Sequence, residues 1–229
     1  MLLDPRPLYD IYEVTCKLRE KMYGGMSKDP EVIKAWVKAT TGYDDELTAV
    51  QTAEALDVAT EEKAEGMWTG FPKDERGLFV WTRQVKALLR ESAIVLGITK
   101  KKRGSREIVH HGFEVKGEGG GSRVYLGGGG EGGGMGGGVL GEPDGADEGP
   151  IHVMTPRGPR TALKRQDYVE GRTFAFGVWI LKTHPSETRH LGQVDVTQML
   201  TFAQEDGLGA SRSQGHGKFD VVRLDKVGT

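Results

Sequence analysis

The chain has 229 residues, 37% of them hydrophobic and 28% charged, a formal net charge of -2 and a single cysteine. That composition suits a globular protein able to bury a sizeable core as one large domain or two small ones. It excludes a helical membrane span, because no apolar run approaches the ~20 residues a bilayer crossing requires. Cys16 excludes an intramolecular disulfide and any multi-cysteine metal cluster.

The N-terminus, MLLDPRPLYD, has no basic region followed by an apolar segment. A cytoplasmic setting with no membrane partner is therefore the expectation. The balance of charge is uneven. From Gly117 to Gly149 a single base, Arg123, stands against six acids, a local -5. Removing -5 from -2 leaves +3 for the remainder, gathered in KKKR (Lys100 to Arg103) and RGPRTALKR (Arg157 to Arg165). Such clusters are compatible with a polyanionic partner.

In chain order, Tyr12, Val14, Cys16 and Leu18 alternate with polar residues and predict a half-buried strand. Asp29 as a cap and Pro30 at the first helical position open a helix carrying Val32, Ile33, Trp36 and Val37. Residues 44–66, rich in Ala, Glu and Leu, read as one or two short helices. GLFVW, Gly77 to Trp81, is a short strand, and Val85, Leu88, Leu89, Ser92 and Leu96 share one face of the helix that follows it. Ile108 to Val115 predicts another strand.

The segment from Gly117 to Gly149 holds 17 glycines in 33 residues, with few side chains to offset the entropy of ordering them. It reads as a long flexible loop inserted into a single domain spanning 1–229, with Val124, Tyr125 and Leu126 a transient strand inside it. Beyond it, TFAFGVWILK places Phe174, Phe176, Val178 and Ile180 on one face and Trp179 and Leu181 on the other, a central strand buried on both sides. Val196, Met199, Leu200 and Ala203 define a core-facing helix stopped by Gly207, and KFDVVRL closes the chain as a strand. The order predicts an α+β fold, one antiparallel sheet covered by helices on one face, most simply a split βαβ arrangement of the ferredoxin-like kind.

A helix ending in Gly207, then GLGASRSQGHGKF, then a closing strand, resembles the C-terminal glycine-rich loop of the RAMP superfamily, the RNA-binding proteins of CRISPR effector complexes. TPRGPRTALKRQDYVEGRTFAFGVWIL is similar to the part of those proteins where a basic loop precedes a central strand. GGMSKDPEVIKAW, FPKDERGLFVWTRQVKALLRESA and the glycine-rich ending follow in the order seen in phage-encoded RAMP-like proteins. The likeness covers most of the chain outside 117–149. It implies a ferredoxin-like or RRM-like fold whose glycine-rich loop lies near bound nucleic acid, and self-assembly or docking on other RAMP-like subunits. The glycine tract is longer than the family pattern, and no thumb or repeat-binding motif assigns a subfamily.

A sugar-phosphate backbone is held by positive charge and hydrogen-bond donors, and approaches closely only where side chains are small. In the glycine-rich stretch Gly209, Gly215 and Gly217 expose backbone amides, while Arg212, Ser213, His216 and Lys218 supply donors. The basic loop adds Arg157, Arg160, Lys164 and Arg165, so that two basic segments flank one groove for single-stranded RNA or DNA. Tyr9, Tyr12, Tyr168 and Trp179 are the aromatics available for stacking. Metal-independent RNA cleavage would draw on His110, His111, His152, His184, His190 or His216, yet no pair is spaced to bring two imidazoles together. No metal or cofactor motif occurs: GxxxxGK[ST], HExxH, HxH and GxSxG are all missing. The expectation is a non-catalytic nucleic-acid binder, with a histidine-dependent endoribonuclease and a structural or interaction protein, such as a CRISPR-complex mimic or virion component, as rivals.

Overall fold

The computed structural model describes residues 6–29, 67–98, 113–127, 138–155, 158–182 and 191–227. It is an α+β arrangement of mostly antiparallel strands with two α-helices among the described residues. The helix begun at Asp29 and Pro30, the helices of 44–66, KKKR, the start of the strand at 108–115 and the side chain of His152 lie outside the described residues, as do His110, His111, His184, His190 and Arg157.

The first sheet is built on β1 (Tyr9–Leu18), β7 (Phe113–Lys116), β11 (Thr173–Leu181) and β12 (Phe219–Val227). These pair in the order β12-β1-β11-β7, every pair antiparallel. The inward residues of β1, Tyr12, Val14, Cys16 and Leu18, are all buried, as their alternation predicts. Two helices cover that face, α1 (Thr82–Val95) and α2 (Gln193–Asp206). Val85, Leu88, Leu89 and Ala93 of α1 join Val196, Met199, Leu200 and Ala203 of α2 in one core with the strand residues. Both helix starts are closed by the third helical residue reaching back. Gln84 Oε1 accepts from the Trp81 amide at 2.9 Å, and Asp195 Oδ2 from the Gly192 amide at 2.9 Å.

Two expectations need correction. β11 is buried on one face only. Phe174, Phe176, Val178 and Ile180 enter the core, whereas Trp179 and Leu181 are half-buried, because both helices lie on one side of the sheet. Trp179 is screened from its own side by Tyr9, with ring centroids 5.7 Å apart. The glycine tract is strand at both its ends. β8 (Arg123–Gly127) pairs with β11 and with β6 (Gly77–Trp81), and Val124 and Leu126 are fully buried. Two large apolar side chains at period two suffice to anchor this segment despite the glycines around it.

A second sheet was not anticipated. β9 (Gly145–Thr155) and β10 (Gly158–Val169) form a long hairpin, and β10 pairs on its other edge with β2 (Met22–Tyr23) and, in parallel, with β4 (Met67–Gly70). β3 (Met26–Ser27) completes it beside β4, and β5 (Lys73–Asp74) pairs with β6 in the first sheet. The basic segment is therefore mainly strand, and its side chains alternate between two faces.

Candidate nucleic-acid interface

Alternation along β10 sends Arg165, Asp167 and Val169 to one face and Lys164, Gln166 and Tyr168 to the other. On the first face Asp167 is buried and fully engaged. Trp68 Nε1 donates to its Oδ1 at 2.8 Å and Lys28 Nζ pairs with its Oδ2 at 2.5 Å. Lys28 and Arg165 each lie over the Trp68 ring, 4.3 Å from the centroid. Arg165 is thus committed to an aromatic partner inside the fold. The chain of Arg160 lies in β10, but its side chain is outside the described set.

The second face meets the glycine-rich stretch. The Ala210 amide donates to Tyr23 O at 2.8 Å and Ser211 Oγ lies 3.3 Å from Gln166 Oε1. Ser211, at φ 60°, is the one non-glycine residue with positive φ among the described residues. The ring of His216 packs edge-on against Tyr23 at 4.8 Å, and Tyr23 packs against Tyr168 at 6.1 Å. Lys21 Nζ sits 3.9 Å from the Tyr168 ring centroid and 2.8 Å from Asp147 Oδ2, which also accepts from the Tyr23 hydroxyl at 2.5 Å.

This cluster shapes its own electrostatics. The ammonium of Lys21, then the hydroxyl of Tyr23, hold the Asp147 carboxyl below its ordinary range, with a smaller contribution from His216. Burial first, and the neighbouring Asp147 second, push the Tyr23 hydroxyl up to about 12. Opposite Gln166 across the parallel pair stands Thr69. Thr69 Oγ1 and Gln166 Nε2 are buried donors with no hydrogen-bond partner among the described residues. Lys164, on the same face, makes no ion pair among the described residues and stays partly exposed.

The glycines themselves serve the loop. A Cβ on Gly217 would stand 1.9 Å from Leu208 O, one on Gly207 2.5 Å from His216 O, and one on Gly209 2.7 Å from Tyr23 O, all at positive φ. The amide of Gly217 donates to Lys21 O and that of Gly215 to Arg212 O, both at 2.8 Å, so neither faces outward as the sequence suggested. The loop cations are likewise engaged. Arg212 pairs with Asp206 at 2.9 Å and Glu91 at 3.4 Å, and Lys218 with Glu205 at 3.4 Å. Ser213 and Gly215 are exposed, with nothing within 4 Å of a Cβ on Gly215.

Of the residues singled out in the sequence, Lys164 lies on the face of the second sheet where Gly209 and His216 pack against Tyr23, with Ser213 and Gly215 exposed on the same loop. The structure turns Arg212 and Lys218 toward acids of the helices, and Arg165 toward Trp68. Sequence reasoning missed Lys21, Tyr23, Thr69, Asp147 and Gln166, which lie on four different strands or their flanks; only the Lys-x-Tyr spacing at Lys21 and Tyr23 hints that both face one way. Among the described residues there is no group of three or more His, Cys, Asp or Glu able to hold a metal, and no helix long and apolar enough to cross a membrane. No protein-family model matches this chain, and comparison with curated proteins finds no match.

Proposed function

We propose that the chain is a non-catalytic nucleic-acid-binding protein of ferredoxin-like, RAMP-like fold that holds single-stranded RNA or DNA by its backbone. The strand order β12-β1-β11-β7, all antiparallel, with α1 before β7 and α2 between β11 and β12, is the order and direction of a ferredoxin-like βαββαβ sheet, and it supports that reading. The observation that carries the function is the closure of the glycine-rich loop onto β10 through Ser211 and Gln166. It joins the loop to the face of the second sheet that carries Lys164, the face on which His216 packs against Tyr23.

A phosphodiester needs a cation free to exchange its counterions, which Lys164 supplies, and donors at the surface, such as the exposed Ser213 hydroxyl. Tyr23 and Tyr168 add aromatic edges at the rim of the seat. Arg212 and Lys218 act in this reading as supports, holding the loop to α1 and α2. The test is affinity for a labelled single-stranded oligonucleotide as salt is raised. A log-log slope of roughly -1 to -3 is expected for a seat with so few free cations. Failure to retain any oligonucleotide at low salt overturns the reading, and metal-independent cleavage of the RNA probe would replace it with the endoribonuclease.

A further inference from the structure

We infer that the open edge of β12 is a self-complementary seam that joins two copies of this chain about a twofold axis, extending the first sheet across both. This goes beyond nucleic-acid binding and does not depend on it. β12 pairs with β1 on one side, and among the described residues no strand pairs with its other side. Val222 and Val227 on it are 63% and 39% exposed. A strand edge with apolar side chains and unpaired backbone groups is a template for another strand. At its start the edge is closed, since the amide of Val221 donates to Gln204 Oε1 of α2 at 2.6 Å. The open stretch therefore begins beyond this amide, and the β-bulge at Val222 leaves Arg223 to Lys226 as its regular part.

The order of side chains in that stretch selects the occupant and the register. In an antiparallel pair about a twofold axis perpendicular to the sheet, opposed residues share a face, so the axis passes between one residue and its own copy. Centred on Arg223, the pairing sets two guanidinium groups against each other; centred on Asp225, it opposes two carboxylates. Centred on Leu224, it places Arg223 opposite the Asp225 of the second copy, and Asp225 opposite the second Arg223. It also sets Leu224 against its copy, continuing the core that Leu224 already touches.

Within one copy Arg223 Nε already pairs with Asp225 Oδ2, so this register joins two such ion pairs into one cluster of alternating charge across the seam. So short a seam buries less than the ~1,600 Å² of a standard interface and belongs with weak, reversible contacts.

The experiment is sedimentation equilibrium on the nuclease-treated full chain, from low micromolar to submillimolar concentration. A monomer–dimer equilibrium is expected. Arg223→Asp, which opposes carboxylates across the seam, should shift it at least tenfold toward monomer. The double exchange Arg223→Asp with Asp225→Arg should restore the dimer, and circular dichroism on each variant reports that β12 remains folded. A wild-type monomer throughout, a dimer indifferent to Arg223→Asp, or a folded double exchange that stays monomeric would each overturn the proposal.

Discussion

Ser211 Oγ stands 3.3 Å from Gln166 Oε1, a contact between residues 45 positions apart that ties the glycine-rich loop to the basic strand. With the loop closed on β10, Lys164 and His216 lie on one face of the second sheet, while Arg212 and Lys218 pair with acids of the helices.

The loop's glycines separate into two classes that substitution distinguishes. Gly217→Ala drives a Cβ into the Leu208 carbonyl at positive φ, and should cost at least ~3 kcal/mol in urea unfolding. Gly215→Ala meets no atom within 4 Å, and should cost only the ~1–2 kcal/mol of the left-handed backbone. Equal costs would mean that Gly217 is not packed against Leu208.

Asp167 anchors the opposite face of β10. Asp167→Ala leaves Lys28 and the Trp68 indole without their buried acceptor, and a loss of ~3–5 kcal/mol is expected. Glu142→Ala, which removes an exposed partner of Lys73, should cost under ~1 kcal/mol in the same assay. A mild effect at Asp167 would show that the cluster is not buried.

These contrasts mark what the sequence made legible. Period-two alternation revealed β1 and β11, and helical spacing revealed α1 and α2, because each has a single apolar face directed at one core. The second sheet stayed hidden because β2, β3 and β4 are two to four residues long, and because glycine, proline and charged residues interrupt any apolar alternation along β9 and β10. β8 was legible in Val124 and Leu126 only as a transient strand, because the glycines around it hid that both side chains are buried. At the site, the type of residue was legible and its direction was not. Whether an arginine faces solvent or an acid depends on Glu91 and Asp206, which sit 121 and 6 positions from Arg212.

Acid should weaken the fold through carboxylates held ionised by partners. Arg172, paired with Asp144, and Lys21, paired with Asp147, lower both pKa values in the folded state. A depressed folded pKa contributes stability that is present above the unfolded value of ~3.9 and is lost as pH falls through the folded value. Urea midpoints should therefore drop below about pH 4, and Asp144→Asn should flatten that part of the curve. An unchanged slope in the variant would show that the Arg172 pair contributes nothing.

Cys16 is fully buried, and burial pushes its thiol well above the ordinary range. It should resist a disulfide-exchange reagent in the native state and react once the chain is unfolded in denaturant. Rapid labelling of native protein at neutral pH would place β1 outside the core.

The most direct measurement of the central claim is oligonucleotide affinity in Lys164→Glu compared with Lys218→Glu at one low salt concentration. Lys164 makes no ion pair among the described residues and Lys218 is held by Glu205, so Lys164→Glu should weaken binding about tenfold or more, with Lys218→Glu clearly smaller. Loss of binding through Lys218 alone, with Lys164→Glu indistinguishable from wild type, would contradict the seat.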